Sequence, residues 1–179
     1  MKAAKLIDIG KIVVEQVEKP VLTSDKQVLV KVKAVGLCGT DLHVFKEGRS
    51  DVALPRIMGH ELSGVIEAVG VDVTNVRIGD HVILDPVISC GTCKICLKGH
   101  GNVCPDVKCF GVQCDGGFQE YIVVDSSKVF AYNKDVPFEI AALGEPFSIA
   151  SNILYRTNAK KGEKILIIGA GTIGLGIVQ

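Results

Sequence analysis

The chain has 179 residues, enough for one packed domain or for one domain plus the beginning of another. Hydrophobic residues make up 47% and charged residues 22%, a globular rather than a disordered composition. The 20 basic residues balance the 20 acidic ones and no long basic run stands out, which argues against a nucleic-acid-binding face.

The opening stretch, MKAAKLIDIGKIVVEQV, lacks a charged-then-apolar secretory pattern with a small-residue cleavage site. No apolar run approaches the roughly 20 residues needed to cross a bilayer. These features point to the cytoplasm, with no membrane partner, where thiols stay reduced. Seven cysteines in that setting suggest metal or catalysis before disulfides.

Up to about residue 130 the pattern predicts short strands separated by glycine-rich turns. QVLVKVKAV (residues 27–35) alternates valine with polar residues, predicting one buried and one wet face. GVIEAVG (64–70), DHVILDP (80–86) and FQEYIVV (118–124) read as further strands. Many short strands with frequent glycine predict a mainly β fold, a barrel or a sandwich. After Pro137 the residues are helical in character, with an interruption at Gly144-Glu145-Pro146 and a second helix expected to start near Pro146. KILIIGAGTIGLGIVQ (164–179) predicts a buried parallel-type strand, a glycine turn and the start of a helix. No repeats or low-complexity linkers appear.

Four cysteines fall within SCGTCKICLKGHGNVCP (89–105), at spacings C-x2-C-x2-C-x7-C. A ferredoxin-type cluster would close with a gap of three residues rather than seven. A zinc finger would separate its pairs by a dozen or more residues. A compact cage of Cys90, Cys93, Cys96 and Cys104 around tetrahedral zinc remains, with Lys94 and Lys98 placed to offset its negative charge. Four thiolates leave no open coordination position, so this metal would be structural. An iron–sulfur or redox module on the same cysteines is the competing reading, and a zinc-stabilised binding module is another.

A second group is spread along the chain. GLCGTDLHVF contributes Cys38, Thr40, Asp41 and His43; PRIMGHELSGVIEAVG contributes His60 and Glu61; LGEPFSIASN contributes Glu145. Each has a plain structural reading by itself: a core thiol, a core histidine, a surface carboxylate, a helix-start residue. Cys109 and Cys114 fit no ligand spacing, and His81 and His100 belong to no metal motif.

In combination the motifs resemble those of the zinc-containing medium-chain alcohol dehydrogenases. GHELSGVIEAVG, the four-cysteine lobe, CGTDLH, DGGFQEY (115–121) and the final GAGTIG occur in that family's order, over essentially the whole chain. Glutamate after His60, and EPF at 145–147, resemble the sorbitol, threonine and sugar-acid dehydrogenase branch. The resemblance implies a GroES-like barrel with a structural-zinc lobe over residues 1–145. A truncated start of a Rossmann α/β domain would follow over 146–179. It further implies a catalytic zinc held by Cys38, His60 and either Glu61 or Glu145, with an open position for the alcohol. Zinc lowers the pKa of a bound water to about 7, and a bound alcohol responds similarly. Thr40 and His43 would relay the departing proton, unless Thr40 is simply a helix N-cap and His43 a surface residue. The implied partner is a small-molecule secondary alcohol of a polyol, sugar acid or hydroxy amino acid, and the implied assembly is a homodimer or homotetramer. A zinc-independent quinone or enoyl reductase on the same fold would lack this ligand set.

Gly169, Gly171 and Gly174 stand in G-x-G-x-x-G order after an apolar run, with Thr172 and Ile173 between them. Such a turn lets backbone amides approach the pyrophosphate of NAD or NADP. The acidic residue that selects between the two, expected about 20 positions on, would lie past Gln179. The chain is therefore expected to behave as a fragment that keeps its structural zinc and does not turn over by itself.

Overall fold

The computed structural model describes residues 1–179. Two strands, β1 (Lys2–Asp8) and β2 (Lys11–Gln16), form a hairpin whose turn uses Gly10 at a φ of 73°. Then follow β3 (Gln27–Gly36), α1 (Gly39–Glu47), β4 (Arg56–Ile57), β5 (Glu61–Val69) and β6 (His81–Leu84). The cysteine-rich lobe carries β7 (Val87–Ile88), α2 (Lys94–Leu97) and β8 (Lys108–Cys109). The last strands are β9 (Tyr121–Asp125) and β10 (Val129–Ala131), followed by α3 (Phe138–Ala141), α4 (Gly144–Thr157) and α5 (Thr172–Val178).

The main sheet has five antiparallel strands in the order β10-β6-β5-β3-β9, and β2-β1-β4 forms a second sheet. The two are joined where β1 runs beside the segment before β9: Ala4 N–H donates to the Phe118 carbonyl at 2.8 Å and Glu120 N–H to that of Lys2 at 3.1 Å. The result is a partly closed barrel. Its core is built from Val28, Val30, Leu62, Ile66, Val82 and Val124, all nearly inaccessible. A smaller cluster of Leu6, Val44, Val52, Met58 and Val112 fixes α1 against the second sheet. Burying each such side chain contributes about 1.5–3 kcal/mol.

All four strands predicted up to residue 130 form. β5, however, starts at Glu61 rather than at Gly64, because its first residues pair with the end of β3, Gly36 opposite Glu61. The predicted alternation in β3 holds from Lys31 onward, whereas Val28, Leu29 and Val30 are all buried. Residues 28–30 pair with β5 on one side and β9 on the other in the middle of the sheet, where both faces of β3 are covered.

Two expectations are corrected. The helical break lies at Ala142-Leu143, so α4 begins at Gly144 and holds Glu145 in its first turn. No strand forms over residues 164–170, and Ile165, Leu166 and Ile168 are 55%, 85% and 92% exposed. A parallel-type strand is stabilised by neighbours on both edges and by helices on both faces, and none of the ten strands lies beside this one. No helix is long and apolar enough to cross a membrane.

Candidate active site and metal centres

The antiparallel pairing of β3 with β5 does most of the assembly. Because Gly36 faces Glu61, Cys38 emerges two residues past the end of the ladder beside His60 and Glu61. One ligand atom from each of these three side chains lies within 4.8 Å of the others. His60 and Glu61 are both 7% exposed, and Cys38 is half-buried. Gly36 is needed there, since a Cβ on it would stand 2.2 Å from Glu61 Oε2.

Cys38 is also the N-cap of α1, with extended backbone angles. That role belongs to Cys38 and not to Thr40, which is the second residue of the helix. Asp41 reaches back from the first turn, accepting from the Cys38 N–H at 2.9 Å and from the Gly59 N–H at 3.3 Å. Asp41 is 2% exposed, and its burial raises the carboxyl pKa against the opposing pull of these donors and of His60. Sequence reasoning quoted Asp41 without giving it a role; its place three residues after a helix N-cap was the available signal.

The electrostatics bind the three residues to one another. The neighbouring His60 ring lowers the Cys38 thiol pKa, against burial and with help from the Thr40 backbone and hydroxyl. Burial acts to lower the His60 pKa, but Cys38 and the charges of Asp41 and Glu145 outweigh it and leave it raised. Glu145 stands outside the close triad yet near enough to be felt. Burial raises its pKa, His60 opposes that rise, and the Glu61 and Asp85 charges add to it.

The residues fit a single divalent ion. A thiolate, an imidazole and a carboxylate are zinc donors, and the buried His60 Nδ1 has no protein partner. Tetrahedral ligand atoms 2.0–2.3 Å from an ion lie about 3.3–3.8 Å apart, within the separation observed. Three protein donors leave a fourth position open.

The four-cysteine lobe fits a closed site. Its sulfurs lie 3.8 Å (Cys90–Cys96), 3.5 Å (Cys93–Cys96) and 4.0 Å (Cys93–Cys104) apart. That is far too long for a disulfide of about 2.05 Å and close to the edge of a tetrahedron of thiolates around one zinc, about 3.8 Å. A multi-iron cluster would hold its thiolates further apart. Backbone N–H groups point at the sulfurs, from Cys93 to Cys90 Sγ at 3.3 Å and from Cys96 to Cys93 Sγ at 3.4 Å. The Thr92 and Cys93 amides bring the Cys90 thiol down to about 6, whereas desolvation and the neighbouring thiols push Cys96 up to about 11.

The glycine turn faces the first site. Gly169 has a φ of 112°, Gly171 caps α5, and a Cβ on Gly174 would stand 2.0 Å from the Gly169 carbonyl oxygen. Gly169, Gly171, Thr172, Ile173 and Gly174 share a cleft of about 680 Å³ with Cys38 and Glu61. A second cleft of about 360 Å³ is lined by Thr40 and His60. His43 projects outward, its side chain 52% exposed and its Nδ1 3.4 Å from Glu47 Oε2. Cys109 and Cys114 are half-buried, burial pushing Cys109 up to about 12; His100 is exposed, and His81 packs on Phe138 with a 4.5 Å ring separation.

Comparison with known proteins agrees with this architecture. Residues 24–134 match the alcohol dehydrogenase GroES-like domain. The chain is 40% identical to sorbitol dehydrogenase of Bacillus subtilis over 179 residues, 98% of this chain and 50% of that protein. It superimposes on the crystal structure of galactitol-1-phosphate dehydrogenase from Escherichia coli with a TM-score of 0.94, at 36% identity, covering 99% of this chain and 51% of the other. An Escherichia coli alcohol dehydrogenase, RspB, complexed with NADH gives a TM-score of 0.92 at 38% identity, covering 99% and 52%. The chain therefore belongs to the zinc-containing medium-chain alcohol dehydrogenase family. It carries that family's GroES-like barrel and metal lobe, followed by the opening of a Rossmann unit, and spans about half the length of the curated relatives it matches.

Proposed function

We propose that this chain supplies the zinc-binding half of an NAD(P)-dependent dehydrogenase that oxidises a secondary alcohol of a polyol, sugar acid or hydroxy amino acid to the ketone. The observation that carries the reading is the convergence of Cys38, His60 and Glu61 within 4.8 Å, at the meeting of two clefts. Residues 1–145 form the catalytic unit and 146–179 the start of the dinucleotide-binding unit. Cys38, His60 and Glu61 hold the catalytic zinc, Glu145 stands beside it, and Cys90, Cys93, Cys96 and Cys104 hold the structural one. Gly169, Gly171, Thr172, Ile173 and Gly174 receive the pyrophosphate.

When bound, zinc held by Cys38, His60 and Glu61 would supply Lewis acidity towards the alcohol oxygen, and NAD(P) at the glycine turn would supply the hydride acceptor. The residues of the chain do the rest. The alcohol enters by the cleft lined by Thr40 and His60, which is distinct from the cleft lined by the glycine turn. The Thr40 hydroxyl accepts the departing proton as it passes its own to His43, three residues on and half-exposed, which releases a proton to solvent. Asp41 keeps the Cys38 and His60 segments in register. The near-complete burial of His60 and Glu61 keeps water from the protein-facing sides of both side chains.

The test is a panel of polyols, sugar acids and hydroxy amino acids given to the zinc-loaded full-length protein, following NADH and NADPH formation. One class should be oxidised, and Cys38→Ser should abolish turnover. Absence of turnover across the panel, with two zinc ions per subunit in place, overturns the proposal.

A further inference from the structure

The cleft that reaches Thr40 and His60 is polar at its outer end, where Arg49 and Asp51 of the loop after α1 meet Lys108 and Gln113 of the lobe. These side chains are organised. Arg49 donates from Nε to Asp51 Oδ1 at 2.9 Å and from Nη2 to Oδ2 at 2.6 Å, a two-point clamp. Gln113 Nε2 donates to the same Oδ2 at 2.9 Å, while Gln113 Oε1 accepts from the Cys109 N–H at 2.8 Å. Asp51 and Gln113 therefore hold the Arg49 guanidinium in one plane and tie its loop to the far wall of the cleft. Arg49 Nη1 makes no hydrogen bond within the protein, and Lys108 is exposed and free of ion pairs. Two cations against one carboxylate leave the mouth with a net charge of +1 (Arg49 and Lys108 less Asp51). The Arg49 clamp lowers the Asp51 pKa, so its carboxylate stays ionised and its remaining lone pair can accept from a hydroxyl.

We propose that Arg49 and Lys108 form an anion-recognising subsite at the outer end of the substrate cleft. The preferred substrate is then a hydroxyl-bearing chain whose end remote from the oxidised carbon is a carboxylate or a phosphate. The proposal rests on the reading of this cleft as the substrate side. A volume of about 360 Å³ falls in the lower part of the range for small-ligand sites, about 300–1,000 Å³, and suits a chain of a few carbons. With its Nε–Nη2 edge held by Asp51, the guanidinium keeps its Nη1–Nη2 edge preoriented for either anion, and the Lys108 ammonium lining the same cleft adds charge without demanding a geometry. Arg49 and Lys108 would thus set specificity at the end of the substrate that does not react.

Binding tests this without requiring turnover. Calorimetric titration of the zinc-loaded full-length protein with gluconate, glucitol 6-phosphate and glucitol should show both anions binding at least tenfold more tightly than the neutral polyol. A stronger preference for one anion identifies which source the site serves. K108Q, at an exposed position that leaves the fold undisturbed, should reduce the anion preference severalfold. R49Q should remove it, and R49K should restore only part because a lysine cannot reproduce the fork. Equal binding of gluconate, glucitol 6-phosphate and glucitol, or an anion preference untouched by K108Q and R49Q, overturns the subsite. Anion binding that follows this pattern in a protein that oxidises no alcohol would instead sink the dehydrogenase reading and leave the subsite standing.

Discussion

The buried carboxylate of Asp41 accepts a hydrogen bond from the backbone of Gly59, 3.3 Å away and immediately before His60, while its other oxygen accepts from Cys38 at 2.9 Å. One side chain therefore links the two chain segments that converge on the candidate zinc site. Asp41→Ala leaves both N–H groups without partners, and each such buried donor costs about 1–3 kcal/mol. D41A is expected to lower the unfolding free energy by about 2–4 kcal/mol in denaturant titration. A loss under about 0.5 kcal/mol would show that the bridge contributes nothing.

The two metal sites should come apart under mutation. Cys93→Ser removes a thiolate from the closed lobe, so metal analysis should find about one zinc equivalent lost and one retained. Cys38→Ser should produce the complementary loss. Cobalt substitution adds a spectroscopic check: the strong component from four thiolates should be lost in C93S, whereas C38S should lose only the weaker component from a single thiolate. Loss of both metals from either variant would contradict separate sites.

Glu61 and Glu145 can be told apart. Glu61 belongs to the close triad and Glu145 does not. Glu61→Gln is expected to weaken zinc affinity on the order of 10–100-fold at the catalytic site, and Glu145→Gln by less than Glu61→Gln. Gly36→Ala should act like a mild form of E61Q, since its methyl group would occupy the space of Glu61 Oε2. The displaced atom is the end of a flexible chain, so the fold should lose under about 1 kcal/mol while metal affinity falls. Competitive chelator titrations measure all three, and tighter zinc binding by E61Q than by E145Q would reverse the assignment.

Three glycines cross behind His60. A Cβ on Gly116 would lie 2.1 Å from the Gly59 carbonyl oxygen, and one on Gly111 would lie 2.7 Å from the Gly59 nitrogen. These are backbone atoms that hydrogen bonds hold in place, including Gly117 N–H to the Gly59 carbonyl at 2.7 Å. Gly116→Ala should cost at least about 2 kcal/mol in thermal or denaturant unfolding. A neutral outcome would mean that this turn moves freely relative to His60.

Cys109 lines the cleft that also reaches Thr40 and His60, yet burial pushes its thiol up to about 12. Because a raised thiol pKa keeps the neutral form, only about one molecule in 10,000 carries the thiolate at pH 8. Thiol reagents should leave Cys109 unmodified for hours at pH 8 in the zinc-loaded protein, as read by mass spectrometry. Modification within minutes would contradict the buried, protonated state.

Much of the site was legible in one dimension because its chemistry is local. The spacing of Cys90, Cys93, Cys96 and Cys104 limits them to a compact cage, and their N–H···S contacts fall within the same short turns. Cys38 and His60 were picked out by the resemblance of their motifs, β3 by two-residue alternation, and β5, β6 and β9 as short strand-like runs between glycine-rich turns. The apolar run at 164–168 misled, because its composition suits a buried strand that none of this chain's strands is positioned to pair with.

Composition and spacing indicated a globular, mainly β chain with one closed thiolate cage, and the resemblance of its motifs to a known family added Cys38, His60 and a glutamate as zinc-type donors. Which carboxylate joins Cys38 and His60 was decided only by the β3–β5 register, which sets Glu61 opposite Gly36 and leaves Glu145 to one side. The Asp41 bridge, the glycine crossing and the Arg49–Asp51–Gln113 clamp likewise arise from folding. The reason is physical: a hydrogen bond or a steric contact between residues far apart in sequence exists only once the chain entropy between them has been overcome by burial of the core.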